Sequence, residues 1–166
     1  PIAVRQTTTV MDPNSIPDIR LFRHSVPAQL RFNDIDILGH LNNTVYFSFY
    51  DTGKAYFFNS IMEGGIEWRT VETVIANVDC AYLHPIFFGE EIEVLTRCKE
   101  IHEKSFVLQQ LMVEKMSGAV KSACETVMVS FDPHRQVSEP IPERWRKALE
   151  ESMRWPGVQT ETADKL

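Results

Sequence analysis

The sequence predicts an α+β fold in which one antiparallel β-sheet wraps around a single long central helix. Two observations carry that expectation. A helical stripe, Tyr46, Phe49, Tyr50, Gly53, Phe57 and Ile61, is followed by four segments with the period-two pattern of half-buried strands. One long helix has no second long helix to pair with, so its apolar face must lie on the sheet. The last three strands are separated by hairpin-length turns, which predicts an antiparallel meander.

Residues 1–24 carry Pro13 and Pro17 and little periodicity, and read as an N-terminal arm. A strand is expected between Ser25 and Asp34, with Gln29 to Phe32 as strand running into a polar loop that holds Asp36 and His40. The next element is locally ambiguous, because Tyr46-Phe47-Ser48-Phe49-Tyr50 alternates like a strand. The longer window decides for a helix from Asn42 or Asn43 to about Met62. Asn side chains cap helix starts by accepting free first-turn amides. Gly53, on the apolar stripe, would allow close approach to a sheet, and Gly64-Gly65 gives a stop.

Thr73 to Leu83, Glu91 to His102, Phe106 to Met116 and Val120 to Phe131 read as strands. Pro85 with Gly89, Glu103-Lys104 and Ser117-Gly118 mark the turns between them. Asp132-Pro133 ends the sheet, and Pro142 opens a short helix to about Met153. Trp155-Pro156-Gly157 breaks that helix, leaving a polar tail over 154–166. The expectation is one domain over 25–153.

At 166 residues, with 43% hydrophobic and 24% charged residues, the chain can bury a substantial core. A formal net charge of −6 argues against nucleic acid or an anionic membrane as partner. It leaves room for an anionic ligand held by a few local cations. No apolar run reaches the roughly 20 residues of a membrane span. The first residues lack a basic segment followed by an apolar one, so no signal peptide is expected and the cytoplasm is the expected location. Cys80, Cys98 and Cys124 are odd in number and far apart, and read as free buried thiols. With no Cys-x-x-Cys pair and no His pair at metal-ligand spacing, no metal is expected. Asn42-Asn43-Thr44 matches a glycosylation sequon and is read instead as a helix start.

The chemistry concentrates in Asp34 to Tyr46, where two carboxylates, a glycine, a histidine and two asparagines precede the helix. A carboxylate before a helix N-terminus sits near unpaired N–H groups and the positive end of the dipole. That suits Asp36 as a base or nucleophile beside a polarised carbonyl. The plainer alternative is that Asp36 caps a turn. Asp34 reads as structural, bonding loop amides, because the chain turns between the two acids. His40 reads as a structural histidine, as a group that orients Asp36 or a water, or as a donor to the carbonyl oxygen under attack. Asn42 and Asn43 are caps first.

The run Arg31-Phe32-Asn33-Asp34-Ile35-Asp36-Ile37-Leu38-Gly39-His40, with Asn42-Asn43 and Tyr46, resembles the 4-hydroxybenzoyl-CoA thioesterase-like family of hotdog-fold acyl-CoA thioesterases. The segment Gly39 to Asn43 also resembles the loop of plant-type acyl-carrier-protein thioesterases. A second echo, Glu103-Lys104-Ser105-Phe106-Val107, resembles the family's strand start near the pantetheine and phosphates of CoA. The resemblance covers about Ser25 to Asp132. It implies a hotdog domain that hydrolyses an acyl-CoA to a free acid and CoA, with CoA as part of the substrate and no cofactor. It makes Asp36 catalytic, puts the Asn43 backbone amide against the thioester oxygen, and gives His40 an assisting role. It also implies self-association as a homodimer or homotetramer, with acyl sites between copies.

His40, Asn42 and Asn43 replace the aromatic and apolar residues of the 4-hydroxybenzoyl-CoA enzyme, which brings the loop closer to fatty-acyl members. Tyr46 and Asp51 are expected to contact substrate, and Lys104 with Ser105 to meet the CoA phosphates. Asp51 is also the rival carboxylate, because Tyr50-Asp51-Thr52-Gly53 resembles the helix acid of another hotdog branch. Arg97, Lys99, Lys121 and Arg135 are further cations. Two rival functions stay open at the sequence level: a hydratase or dehydratase on acyl thioesters, and a non-catalytic acyl-thioester binding module.

Overall fold

The computed structural model describes residue 12, residues 14–66 and residues 73–154. The expected break at Trp155-Pro156-Gly157, the rest of the tail and the first 11 residues lie outside them. Strand β1 (His24–Ala28) leads through a short 3-10 turn, Phe32–Asp34, to helix α1 (Val45–Ile61). Strands β2 (Thr73–Tyr82), β3 (Ile92–Ile101), β4 (Ser105–Glu114) and β5 (Val120–Asp132) follow. A two-residue strand β6 (Val137–Ser138) and helix α2 (Glu143–Met153) complete the order.

The sheet runs β1-β3-β4-β5-β2, entirely antiparallel, with β6 paired to the end of β5. It curls around α1, the arrangement of a hotdog fold. The predicted meander is β3-β4-β5, and β2 closes back beside β5 as one edge of the sheet, with β1 as the other.

Helix α1 sits close because Gly53 faces the sheet. A Cβ at that position would lie 2.6 Å from Val94 Cγ1 and 2.9 Å from Gln110 Nε2. Beneath it Gln110 donates to the Tyr50 carbonyl and to Thr96 Oγ1, both at 2.9 Å. Around the first half of α1, Leu41, Tyr46, Phe49 and Tyr50 pack with Ile86, Ile92, Val94 and Met112. Around its second half, Phe57 and Phe58 pack with Phe106, Leu108, Met128 and Leu149 of α2. The helix therefore runs the length of the sheet, its N-terminus at the end where β1 finishes and β3 begins.

Three expectations need correction. The first strand stops at Ala28 rather than running on toward Asp34. The Asp34 carboxylate accepts the Arg31 N–H at 2.8 Å and winds the intervening residues into a turn. The short β6 lies in a stretch with no period to announce it. The arm also belongs to the core in part: Phe22 is buried with Leu111, Val113 and Ala123 on the outer face of the sheet, and Ile16 packs against them.

Candidate active site

The loop from Asp34 to Asn42 is a small cross-bonded hairpin. Ile35 and Leu41 form an isolated antiparallel bridge. The Asp36 N–H donates to the His40 carbonyl at 3.0 Å, and the Asn42 N–H donates to the Asp34 carbonyl at 2.9 Å. At the tip, Gly39 N–H donates to the Asp36 carbonyl at 3.0 Å. Gly39 has φ +84°, the left-handed conformation that glycine adopts without a steric penalty and that closes a three-residue hairpin. Leu41 is tied in turn to the β2–β3 connection, its N–H reaching the Ile86 carbonyl at 2.7 Å. That connection is anchored by buried Lys121, whose ammonium meets Glu90 at 2.7 Å and the Pro85 carbonyl at 3.1 Å.

Asp36 occupies the first position of the turn, where an acid side chain bonds the amide two residues on. Its Oδ1 accepts the Leu38 N–H at 2.8 Å. The capping role is therefore real, yet it uses one oxygen; Oδ2 accepts no hydrogen bond among the described residues. Asp36 is half-exposed, and its carboxylate has one oxygen fixed and one open, a geometry that suits a base or nucleophile.

His40 is half-buried one residue past Gly39. Its Nδ1 stands 3.5 Å from the Leu41 carbonyl, and no hydrogen bond among the described residues joins the ring to the Asp36 carboxylate. Asn42 forms a turn just ahead of the helix, its Oδ1 accepting Thr44 N–H at 3.0 Å and Thr44 Oγ–H at 2.7 Å. The N-cap is Thr44, so the helix starts at Val45 rather than at the expected Asn42 or Asn43. Asn43 is exposed. Its carbonyl accepts the Tyr82 hydroxyl at 3.1 Å, while its own N–H donates to no acceptor among the described residues. An open amide beside the positive end of a 17-residue helix has the geometry to donate to a developing negative charge.

Tyr46 is a core residue, 3% exposed and edge-on to Tyr82 with ring centroids 5.0 Å apart. Burial raises its phenol to about 12, and the neighbouring Tyr82, Cys80 and Glu90 add to the rise. Burial likewise pushes Tyr82 up to about 12, so its hydroxyl stays a donor toward Asn43. Asp51 is exposed and paired at 2.8 Å with Lys54, which is buried. The structure thus brings Asp36, His40, Asn43 and the start of α1 into one unit.

Lys104 and Ser105 are elsewhere. They form the turn after β3 and the start of β4; the first residue of β3 pairs with Ala28, beside the Asp34–Asn42 loop. Ten residues of strand separate the two ends, about 30 Å at the usual rise. Lys104 is exposed, with Nζ 3.3 Å from the Ser138 carbonyl. The other cations are already engaged: Arg97 with Gln109, Lys99 with Glu125, Lys121 with Glu90 and Arg135 with Asp132. Sequence reasoning missed Tyr82 and Lys54. Lys54 was signalled by a lone charge next to the apolar stripe, whereas nothing in the pattern of β2 says that Tyr82 meets Asn43.

A family model described as the thioesterase-like superfamily matches residues 30–149, which spans the loop, α1, strands β2 to β6 and most of α2. The chain belongs to that superfamily. It is a hotdog-fold thioester hydrolase, as the loop's resemblance implied. Among relatives, the uncharacterized protein YsmA of Bacillus subtilis is 26% identical over 113 residues, 67% of this chain and 76% of that protein. A thioesterase from Thermus thermophilus, solved with coenzyme A and zinc, is 26% identical with a TM-score of 0.70, covering 80% of this chain and 95% of that one. A 4-hydroxybenzoyl CoA thioesterase mutant complexed with 4-hydroxybenzoyl CoA shares the fold, at 17% identity and TM-score 0.68 over 76% of this chain and 97% of that one. Among the described residues, no group of three or more His, Cys, Asp or Glu side chains could hold a metal ion. No described helix is long and apolar enough to cross a membrane.

Proposed function

We propose that this superfamily member hydrolyses acyl-CoA thioesters to the free carboxylic acid and CoA, with Asp36 as the reacting carboxylate. The observation that carries the reading is the pairing of an open Asp36 Oδ2 with the open Asn43 N–H in one cross-bonded loop ahead of α1. The thioester carbonyl oxygen lies against the Asn43 amide, which stabilises the charge that develops there. Asp36 either takes a proton from an attacking water or attacks the carbonyl carbon directly. In the second route CoA leaves as the thiolate, and water then cleaves the mixed anhydride. His40 assists by holding the water. The coenzyme A bound to the Thermus relative supports CoA as the carrier.

The chain works as a homodimer or a dimer of dimers. Support comes from β2, a ten-residue edge strand with exposed Ile75 and Val78. Long apolar edges of this kind recruit a further strand. A substrate that meets Asp36 and Lys104 together is most simply shared between two copies, given their separation in one. Three free thiols suit a reducing cytoplasm.

The test is thiol release from a panel of short, long and aromatic acyl-CoAs. The reading expects turnover of at least one class far above the buffer rate. Tight binding across the panel with release no faster than buffer would make the protein an acyl-thioester binding module instead.

A further inference from the structure

Two of the three cysteines face each other across neighbouring strands. Cys80 of β2 and Cys124 of β5 are direct Cα partners in the register. The Leu83 N–H bond to the Lys121 carbonyl, at 2.9 Å, marks Leu83 and Lys121 as a hydrogen-bonded pair. Bonded and open pairs alternate along an antiparallel ladder. Tyr82 with Ser122 is therefore open, Ala81 with Ala123 bonded, and Cys80 with Cys124 open. In open pairs the Cα atoms stand about 4.5 Å apart and the side chains come closest. A disulfide needs roughly 4.4–6.8 Å between Cα atoms. The register thus places the two thiols within bonding range without moving either strand.

Their surroundings differ in a way that gives each a role. Cys80 is half-buried at the edge strand, and Cys124 is fully buried against α1. Cys80 Sγ lies 3.5 Å from Ser122 Oγ. The adjoining Cys124 thiol lowers the Cys80 thiol to about 7, with Ser122 and Tyr82 assisting against burial. The same contact and burial push Cys124 up, so it keeps its proton. The thiolate is the reactive form. Cys98, buried in β3 and pushed up to about 12 by burial, has no such partner and serves as an internal reference.

We infer that Cys80 and Cys124 form a peroxide-reactive dithiol that closes reversibly to a disulfide between β2 and β5. The Cys80 thiolate attacks one oxygen of hydrogen peroxide, giving a sulfenic acid and hydroxide. The Cys124 sulfur then attacks the sulfenic sulfur and the oxygen leaves as water. Overall two thiols and one peroxide become one disulfide and two waters. The site is independent of thioester hydrolysis: its chemistry needs neither Asp36 nor CoA.

The test uses the reduced full chain exposed to hydrogen peroxide, followed by mass measurement and peptide mapping without reductant. The expected product is two hydrogens lighter, carries a Cys80–Cys124 link within one chain, leaves Cys98 as a thiol and returns to the starting mass with a dithiol reductant. Cys98→Ser should change none of this. Cys124→Ala should stop at a Cys80 sulfenic acid that a dimedone probe traps, and Cys80→Ser should leave Cys124 reduced. If Cys124→Ala does not fold, mapping of the unsubstituted chain decides alone. Sulfinic or sulfonic acid at Cys80 beside a free Cys124 would overturn the inference. So would a link between two chains, or no reaction under peroxide that oxidises a free thiol peptide.

Discussion

The Gly53 contact shows how tightly one residue sets the position of the site. An alanine methyl there would meet Val94 Cγ1 at 2.6 Å and Gln110 Nε2 at 2.9 Å, and Val94 is 1% exposed with no room to yield. Overpacking of this kind costs about 1–3 kcal/mol, against roughly 1 kcal/mol that alanine gains over glycine in a helix. Gly53→Ala should therefore lower the melting temperature by several degrees. An unchanged or higher value would mean that α1 rides further from the sheet than described. The need for a small residue was legible from the sequence, because Gly53 falls on the apolar stripe. The partners Val94, Thr96 and Gln110 were not, since they lie on strands whose register only the folded chain sets.

At the scale of elements, β1 and α1 meet through His24, whose ring stands edge-on to Phe57 at 5.8 Å. Its Nδ1 is buried without a hydrogen-bond partner among the described residues, and burial lowers its pKa below the ordinary 6.5. The unfolded chain then binds a proton more readily than the folded one. Stability from this group is complete above about pH 6.5 and is lost as pH falls from there toward the folded value. Urea unfolding at pH 7.5 and 5.5 should show a larger loss for the parent than for His24→Gln. Equal losses would mean that His24 gains a partner or solvent when it charges.

The same element shows why its boundary was illegible. The run from Ser25 to Asp34 reads as continuous strand until one side chain, Asp34, bonds the Arg31 amide and turns the chain. Helix α1 and its end were legible because its period extends over four turns; its start was not, since Asn42 and Asn43 fold into a turn before the N-cap Thr44. The outer-face burial of Phe22 had no periodic signal, since a lone aromatic in an arm looks the same whether or not a sheet lies beneath it.

For the molecule as a whole, the proposed self-association is assigned to the free edge of β2. Val78 pairs with Thr126 two steps from Cys80, so it too is in an open pair and its N–H points away from β5. Val78→Pro removes a donor from the outer edge without breaking a bond to β5, a position where edge strands tolerate proline. Sedimentation should show the parent as a dimer or larger and this variant shifted to monomer, with its circular dichroism unchanged. A variant that stays dimeric would put the interface on another face. Sequence order made the meander legible, but not the distance between Asp36 and Lys104. That distance follows from Ala28 pairing with Ile92, which puts the loop at the start of β3 and the lysine beyond its end.

The reacting carboxylate can be settled by comparing Asp36→Asn and Asp51→Asn on the best acyl-CoA from the panel. Asparagine at 36 keeps an oxygen for the Leu38 amide, so the turn survives while the charge is lost. Loss of a central base or nucleophile costs about 100-fold or more in kcat. Asp51, exposed and paired with Lys54, should matter mainly to KM. The account predicts that Asp36→Asn folds normally and falls at least that far in thiol release, with kcat of Asp51→Asn within a few-fold of the parent. A folded Asp36→Asn protein with near-parental turnover, beside an inactive Asp51→Asn, would contradict it and move the chemistry onto the helix.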